Sequence, residues 1–294
     1  IGQLAADVNT MIGELREWDR IKRIEFELEK GQEIQREFLP RTLPVMPHWE
    51  IAAFFQPAGK VSGDFYDAFK LPDGHVGLVI GDVCDKGVGS ALYMALFRSL
   101  LRVFSTQKRF QQNKPAAQIN TRPHSSESTT VDCEEPLACL QAVLLTNEYI
   151  AQNHGDEGMF ATIFFGVLNP VSGRLYYVNG GHEPLLIVGP EGIKGHLRPT
   201  GPAVGMMPDM HFGMHDICME PGDILLGFTD GLTEARSPKD ELYTRGRLNA
   251  LFDPPAATAE LLLERIRSNL LAFIDTAPQN DDITMLVVQR ERTV

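Results

Sequence analysis

Four aspartates in this chain share one local context. Asp64, Asp82, Asp230 and Asp281 each lie where an apolar, strand-like stretch meets a turn. Aspartate is disfavoured inside strands and costly to bury unpaired, but it is common at turns and caps, so each residue alone favours a turn role. Together the four residues favour the turn role less, because carboxylates at the ends of adjoining core strands would converge and repel one another. A bound divalent cation is the usual remedy.

The candidate ligands point to a hard cation. Asp82 follows an apolar run and belongs to a glycine-rich turn, Gly81 to Gly89, that leads into an apolar helix. Such a turn lets backbone approach a metal ion or a phosphate, although many turns are glycine-rich for conformational reasons alone. The four cysteines lack the CxxC spacing of a zinc site; they are Cys84, Cys133, Cys139 and Cys218. The residue types therefore favour Mg²⁺ or Mn²⁺.

Length and composition restrict the classes of function. With 294 residues and 43% hydrophobic content, the chain fits one large domain, or one domain with an appendage. A net charge of -12 opposes binding to nucleic acid and direct contact with an anionic membrane. Scattered cysteines, with no signal peptide or run of transmembrane length, predict a cytoplasmic location. The chain starts inside a helical pattern, so we interpret it as a piece of a longer protein that could carry an upstream membrane sensor.

The order of predicted elements indicates the fold class. Strands joined by hairpins, with helices in two separated groups, favour antiparallel α+β layering over a doubly wound sheet. A polar segment at about 105–135 is predicted to be a flexible insertion in a domain covering 40–294. Strands are predicted at 50–56, 65–71, 75–81, 160–168, 174–179, 184–188, 212–219, 223–228 and 283–289, and helices at 88–104, 136–153 and 258–274.

Residues 1–39 are predicted to form one separate helix. Apolar residues from Leu4 to Trp18 follow the alternating spacing of a coiled-coil seam, which then shifts register and resumes after Gly31. A helix able to pair in two registers can transmit a signal, so we favour a dimeric signalling helix. The alternative is an amphipathic helix packed on its own domain.

Six motifs together resemble a known family. They are SGDFYD, GDVCDKGVGSALYMA, MFATIFFGVLNP, YYVNGGHEPLLI, LLGFTDGLTEA and NDDITMLVV. This set resembles the metal-dependent serine/threonine phosphatases of the PPM (protein phosphatase 2C-like) superfamily, in their bacterial SpoIIE/RsbU-type branch. The resemblance covers about residue 33 to the C-terminus in the family's order. Residues 1–18 also resemble, over a shorter stretch, the last helix of a HAMP signalling module.

The resemblance implies a fold and a set of site residues. The implied fold is two antiparallel β-sheets packed face to face and flanked by helices. Asp82 is implied to bridge two Mn²⁺ or Mg²⁺ ions, with the carbonyl of Val83 completing the first site. The remaining implied ligands are Asp64, which serves the first ion directly or through water, and Asp230 and Asp281, which hold the second. Gly63, Asp67 and Asp282 are implied to support them, with a turn cap as the alternative role of Asp67 and Asp282.

The resemblance also implies a reaction and a partner. A water activated by the two ions would attack a phosphoserine or phosphothreonine in line with the leaving alkoxide. In this branch the implied substrate is a phosphorylated anti-sigma-factor antagonist of the STAS type. Two alternatives are a catalytically silent interaction module on the same fold, and a different two-metal phosphoester hydrolase such as a nuclease. The complete set of acids opposes the first, and the negative charge opposes the second.

Several residues near these motifs are interpreted as structural. Asp85 stands where the family usually has glycine, and we expect it to cap the following helix; the alternative is a weak outer contact to the metal. Ser62 departs in the same way from a common glycine. We expect His182 to be structural, not a general acid, and Cys84 to pack as a small apolar residue. The remaining His and Met residues of one segment are expected to pack in loops and strands: Met206, Met207, Met210, His211, Met214, His215 and Met219.

Overall fold

Ten β-strands and six α-helices form four layers in the computed structural model, which describes residues 2–72, 74–106 and 134–292. The helices are α1 (Gly2–Phe38), α2 (Val88–Thr106), α3 (Glu134–His154), α4 (Asp230–Thr233), α5 (Thr244–Ala250) and α6 (Ala259–Ile274). The strands are β1 (Trp49–Gln56), β2 (Phe65–Lys70), β3 (Val76–Val83), β4 (Ala161–Leu168), β5 (Arg174–Gly180), β6 (Leu185–Gly189), β7 (Gly192–Leu197), β8 (His215–Cys218), β9 (Ile224–Phe228) and β10 (Ile283–Arg290).

The strands build two antiparallel sheets of five strands each. One sheet has the order β1-β10-β9-β6-β7 and the other the order β2-β3-β4-β5-β8. The central strands β3, β4, β9 and β10 are buried on both faces, which explains why their sequences are nearly continuous apolar runs.

Three apolar layers hold the sandwich together. The middle layer lies between the sheets and includes Leu78, Ile80, Phe164, Leu225 and Leu286. A second layer joins α2 and α3 to the sheet containing β2 to β5. A third joins α6 and the short helices to the sheet containing β9 and β10. The predicted α-β-β-α sandwich is therefore confirmed.

Some details differ from the sequence-based expectation. The strand predicted at 212–219 covers only His215–Cys218, and α4 and α5 were not predicted. Helices of four and seven residues carry too little periodicity to be recognised in sequence. The greater part of the predicted insertion at 105–135 lies outside the described residues.

Helix α2 is the one described helix whose length and apolar composition would allow it to cross a membrane. In this fold it packs against α3, and its buried face includes Met94, Phe97 and Leu101. A core helix covered on two sides also needs an apolar surface over most of its circumference.

Helix α1 continues without a break through Gly31 and ends at Phe38, one residue before the predicted boundary. Its seam side chains are open to solvent: Met11, Leu15 and Trp18 are 55%, 57% and 61% exposed. The predicted pairing of this seam with a second copy stays a prediction, as does the division at residues 39 and 40.

A candidate metal site at one edge of the sandwich

The strand topology brings the four aspartates to the same edge. Phe65 at the start of β2 pairs with Gly81 near the end of β3, so Asp64 and Asp82 are neighbours. In the other sheet Phe228 at the end of β9 pairs with Met285 near the start of β10, which places Asp230 beside the segment containing Asp281. Each sheet thus contributes two of the carboxylates.

Asp64 is fixed by hydroxyl groups of the opposite sheet. Its Oδ2 accepts hydrogen bonds from Thr229 Oγ1 at 2.7 Å and Thr284 Oγ1 at 2.6 Å. Asp64 is 2% exposed, and burial, followed by the charge of Asp82, raises the pKa of its carboxyl group. The two threonines act in the other direction, because hydroxyl donors stabilise a carboxylate.

Asp82 and Asp230 lie in the field of the other acids. Burial, followed by repulsion from Asp230, raises the pKa of Asp82 to about 7, and Asp281 and Asp282 act in the same direction. Burial, followed by the charge of Asp281, also raises the pKa of Asp230. These carboxylates therefore lie close enough to disfavour one another's ionised forms, as the sequence predicted.

Asp281 and Asp282 have different partners although they are adjacent. Asp281 Oδ2 forms an ion pair with Lys86 Nζ at 2.8 Å, and this ammonium group also donates to the carbonyl of Asn280. Asp282 accepts hydrogen bonds from the backbone N–H groups of Ala58 at 2.7 Å and Gly63 at 3.1 Å. Asp281 thus faces a cation at the rim, whereas Asp282 holds the loop that precedes Asp64.

Two glycines keep the backbone of the site open. A Cβ atom at Gly63 would lie 2.7 Å from the carbonyl oxygen of Val83 and 3.6 Å from Asp82 Oδ1. A Cβ atom at Gly231 would overlap the carbonyl oxygen of Asp282. Both positions require the absence of a side chain, because the loops that carry the acids pack directly on each other.

This donor set fits hard divalent cations. It consists of carboxylate oxygens with a backbone carbonyl nearby, the ligands that Mg²⁺ and Mn²⁺ prefer. Across the described ranges, no three His, Cys, Asp or Glu side chains are already clustered as ligands of one ion. A bound ion would therefore draw these carboxylates together, and its charge would relieve their mutual repulsion.

Asp67 lies apart from the acid edge. It is within β2, where its Oδ2 pairs with Arg98 at 3.0 Å and with Arg102 Nε at 3.4 Å, both on α2. The sequence-based alternative of a turn cap is therefore wrong for Asp67, since a residue in the middle of a strand caps no turn. Support of the site through β2 stays a prediction.

The structure also places the residues interpreted as structural beside the glycine-rich turn. Asp85 has a φ of 70°, a conformation that favours glycine and tolerates aspartate, and its Oδ1 accepts from Lys86 N at 2.8 Å. The expected helix cap is thus wrong, because Lys86 precedes α2 and the bond does not reach the first turn of that helix.

Cys84 lies in the same turn. Its Sγ accepts from Phe160 N, and burial raises the pKa of its thiol, which opposes a role as nucleophile.

His182 is a buried and neutral residue. Its Nδ1 lies 3.0 Å from Thr162 Oγ1, and its backbone N–H donates to Asn179 Oδ1 at 2.8 Å. Burial lowers the pKa of His182 to about 4. The imidazole is therefore neutral at neutral pH and is not the imidazolium that a general acid would require, consistent with the structural interpretation.

The His and Met residues expected to pack in loops and strands do not form a common cluster. The ring of His215 in β8 contacts Tyr177 with centroids 5.9 Å apart. Met214 and Met219 are buried, whereas Met206 and Met207 are exposed. Burial of Met214 and Met219 and the ring contact of His215 agree with packing roles, whereas Met206 and Met207 are too exposed for them.

Sequence reasoning missed four residues that shape the site. Thr229 and Thr284 fix Asp64, and Lys86 pairs with Asp281. Gln35 on α1 exchanges hydrogen bonds with the backbone of Ser62, one residue before Gly63. Thr229 and Thr284 lie within two residues of the predicted acids, so their position in the motifs could have indicated a role at the site. No sequence feature indicated such a role for Gln35.

The chain is similar to several known proteins. The model of the family Stage II sporulation protein E (SpoIIE) matches residues 72–291. Protein IcfG from Synechocystis is 47% identical over 272 residues, which are 92% of this chain and 42% of that protein. The phosphoserine phosphatase RsbU from Bacillus subtilis is 24% identical over 269 residues, 91% of this chain and 71% of that protein.

A solved structure shares the fold. The crystal structure of the RsbU and RsbW domains of Rv1364c from Mycobacterium tuberculosis superimposes with a TM-score of 0.63 at 26% identity, covering 87% of this chain and 64% of that one. The chain thus spans less than half of IcfG and about two thirds of the crystallised Mycobacterium chain.

Proposed function

Because this chain belongs to the Stage II sporulation protein E (SpoIIE) family of PP2C-like phosphatase domains, we propose that it is a metal-dependent phosphoserine and phosphothreonine protein phosphatase of a bacterial signalling pathway. The single observation that carries the proposal is the edge at which Asp64, Asp82, Asp230 and Asp281 converge, where burial and then the charges of neighbouring acids raise the pKa of Asp64, Asp82 and Asp230. A protein would gain nothing in stability from such repulsion, so a cation and a phosphoryl group are its expected occupants.

The proposed ligands are these four aspartates and the carbonyl of Val83. They would hold two Mn²⁺ or Mg²⁺ ions, which when bound supply an activated water and neutralise charge on a phosphoryl group. Thr229 and Thr284 orient Asp64 and favour its ionised form. Asp282 fixes the Gly63 loop, whose missing side chain leaves room beside the carbonyl of Val83.

Substitution of the predicted ligands tests the proposal. Dephosphorylation of a phosphoserine protein is expected with Mn²⁺ and to be lost in EDTA. Asp82→Asn and Asp230→Asn should each lower the rate by about 10³-fold, since each removes a charge that acts at the reacting group. Asp209→Asn is the matched control, because this exposed aspartate lies in a loop away from the edge. Activity of Asp82→Asn near that of the control would refute the metal assignment.

We further propose that the natural substrate is a phosphorylated anti-sigma-factor antagonist. The relatives named phosphoserine phosphatases RsbU and RsbP, and the joined RsbU and RsbW domains of the Mycobacterium protein, support a phosphoprotein partner of this kind. A cytoplasmic location accords with that role. Faster dephosphorylation of such an antagonist than of an unrelated phosphoprotein is the expected result.

Regulation by α1 is the last part of the proposal. Buried Gln35 donates to the carbonyl of Ser62 at 2.5 Å and accepts from its N–H at 3.0 Å, and Glu29 pairs with Lys60 at 3.0 Å. A shift of α1 would therefore move the loop that carries Gly63 and Asp64. The exposed apolar seam supports pairing of α1 with a second copy.

Two measurements on the full chain test this regulation. Gln35→Ala should change the phosphatase rate without changing the Mn²⁺ requirement. Leu15→Glu, which places a charge in the seam, should shift the mass measured by light scattering from dimer to monomer. A wild-type chain that is monomeric at micromolar concentration would refute the dimer.

A further inference from the structure

A cavity among the described residues lies away from the acid edge. It has a volume of about 630 Å³ and is bordered by the segment after α1, the end of β2 and the C-terminal half of α2. Arg102 is fourteen residues beyond the start of α2, so the cavity lies about 20 Å along this helix from the glycine-rich turn.

Every ionisable residue that lines this cavity is basic. They are Lys70 at the end of β2 and Arg98 and Arg102 on successive turns of α2. Beneath them lies the buried carboxylate of Asp67, which both arginines share. Three positive charges thus face one negative charge, in a chain with a net charge of -12. This local excess of positive charge attracts anions, although the chain as a whole carries a negative net charge.

The arginines are held in place before any ligand arrives. Arg98 is 9% exposed and pairs with Asp67 at 3.0 Å, and its Nε has no hydrogen-bond partner among the described residues. The guanidinium of Arg102 lies over the ring of Phe69, 4.8 Å from the centroid. A planar guanidinium fixed in this way loses little freedom when it binds a phosphate or carboxylate.

The other lining residues indicate the size and nature of the ligand. Hydroxyl groups come from Thr42, Ser99 and Thr106, and apolar walls from Leu43, Pro44 and Val103. The volume falls in the range of pockets for small organic ligands, which is about 300 to 1,000 Å³ and larger than a phosphate ion requires. Hydroxyls and guanidinium groups suit the charged end of a ligand, and the walls suit an apolar remainder.

We propose that this cavity binds a small phosphorylated organic molecule, with the phosphate at Lys70 and Arg102 and the apolar part against Leu43, Pro44 and Val103. Because the lining comes from both the segment after α1 and from α2, the bound molecule would tie these two parts together. The proposal does not depend on the phosphatase activity.

Calorimetry of the full chain in EDTA tests the proposal, since EDTA prevents phosphates from binding through metal ions at the acid edge. The probes are AMP, inorganic phosphate, adenosine and an acidic peptide. AMP is expected to bind more tightly than inorganic phosphate, and adenosine to bind weakly. Equal binding of adenosine and AMP, or a clear preference for the acidic peptide, would overturn the proposal.

Variants locate the site. Lys70→Gln and Arg102→Gln should each weaken AMP binding by about tenfold, as expected for loss of a charged hydrogen bond. Lys239→Gln, an exposed lysine elsewhere, and Asp82→Asn at the acid edge should leave the affinity unchanged. Should Arg102→Gln fold poorly, Lys70→Glu serves alone, because Lys70 is exposed and its charge reversal should abolish binding. Unchanged AMP affinity in both Lys70 variants would refute the site.

Discussion

Asp64 and Asp67 are three residues apart and almost equally buried, at 2% and 1% exposure, yet their surroundings differ. Asp67 pairs with two arginines on α2. Asp64 accepts from two threonine hydroxyls and lies in the field of Asp82. Burial raises the pKa of both carboxyl groups, but cations oppose the shift at Asp67 and a further acid adds to it at Asp64.

This difference separates a structural carboxylate from a functional one. A protein that buries a charge for stability supplies a counter-charge, because an unpaired buried ion costs several kcal/mol. At Asp67 the counter-charge belongs to the fold. At Asp64 it is missing from the surrounding contacts, and we propose that metal ions supply it.

Replacing each aspartate by asparagine should have opposite consequences. Asp64→Asn is expected to lower the proposed phosphatase rate by about 10²- to 10³-fold while the metal-free protein melts no earlier, since a repelled charge is removed. Asp67→Asn is expected to lower the melting temperature, since it leaves two arginines unpaired. Melting curves in EDTA and rates in Mn²⁺ measure both effects. The comparison fails if Asp64→Asn destabilises the metal-free chain more than Asp67→Asn.

Removing the partner of Asp67 should also destabilise the fold. Arg98→Met leaves a buried carboxylate with only Arg102, and we expect a loss of about 3 kcal/mol in the free energy of unfolding. For a chain of this size that corresponds to a fall of about 5 °C in melting temperature. Arg267→Met, at an exposed ion pair on α6, is the control. A change below about 1 kcal/mol would mean that the Asp67 pair contributes nothing.

His182 offers a third kind of buried titratable group, one kept neutral. Its pKa of about 4 lies below the ordinary value of 6.5, so on acidification the unfolded chain binds the proton first. Stability from this residue is therefore complete above pH 6.5 and is lost as the pH falls towards 4. Urea unfolding at about pH 7 and about pH 5 gives the free energy of unfolding at each pH. The decrease from pH 7 to pH 5 should be about 2 kcal/mol smaller in His182→Gln than in wild type. Parallel losses would contradict this assignment.

The smallest effect is expected at Lys86, the cation that borders the acid edge. Its side chain is 62% exposed, so its pair with Asp281 should stabilise the fold by less than about 1 kcal/mol. Lys86→Met should instead raise Mn²⁺ affinity by about two- to fivefold, because the ammonium competes for Asp281. Calorimetric titration with Mn²⁺ measures this, with Lys239→Met as control. Weaker Mn²⁺ binding in Lys86→Met would show that the lysine supports the site.

Most of the fold could be predicted because its determinants are local. Apolar periodicity, turn residues and helix caps can each be recognised within a few consecutive positions. At the start of α6, for example, the side chain of Thr258 caps the helix by accepting from Leu261 N. The short helices α4 and α5 were not predicted, because four and seven residues are too few to show a helical period. The proposed ligands could also be predicted from the sequence, because each lies where a predicted strand meets a turn.

The sequence alone determined that acids collect where core strands end, that the layers are antiparallel, and that the motifs belong together. Only the tertiary structure decided which acids receive a counter-charge. Asp64 meets threonines that are 165 and 220 positions away, and Asp67 meets arginines on the covering helix. These partners are chosen by the packing of one sheet on the other and of α2 on β2. Contacts of that kind leave no periodic trace in the chain, because they depend on distance in space and not on spacing in sequence.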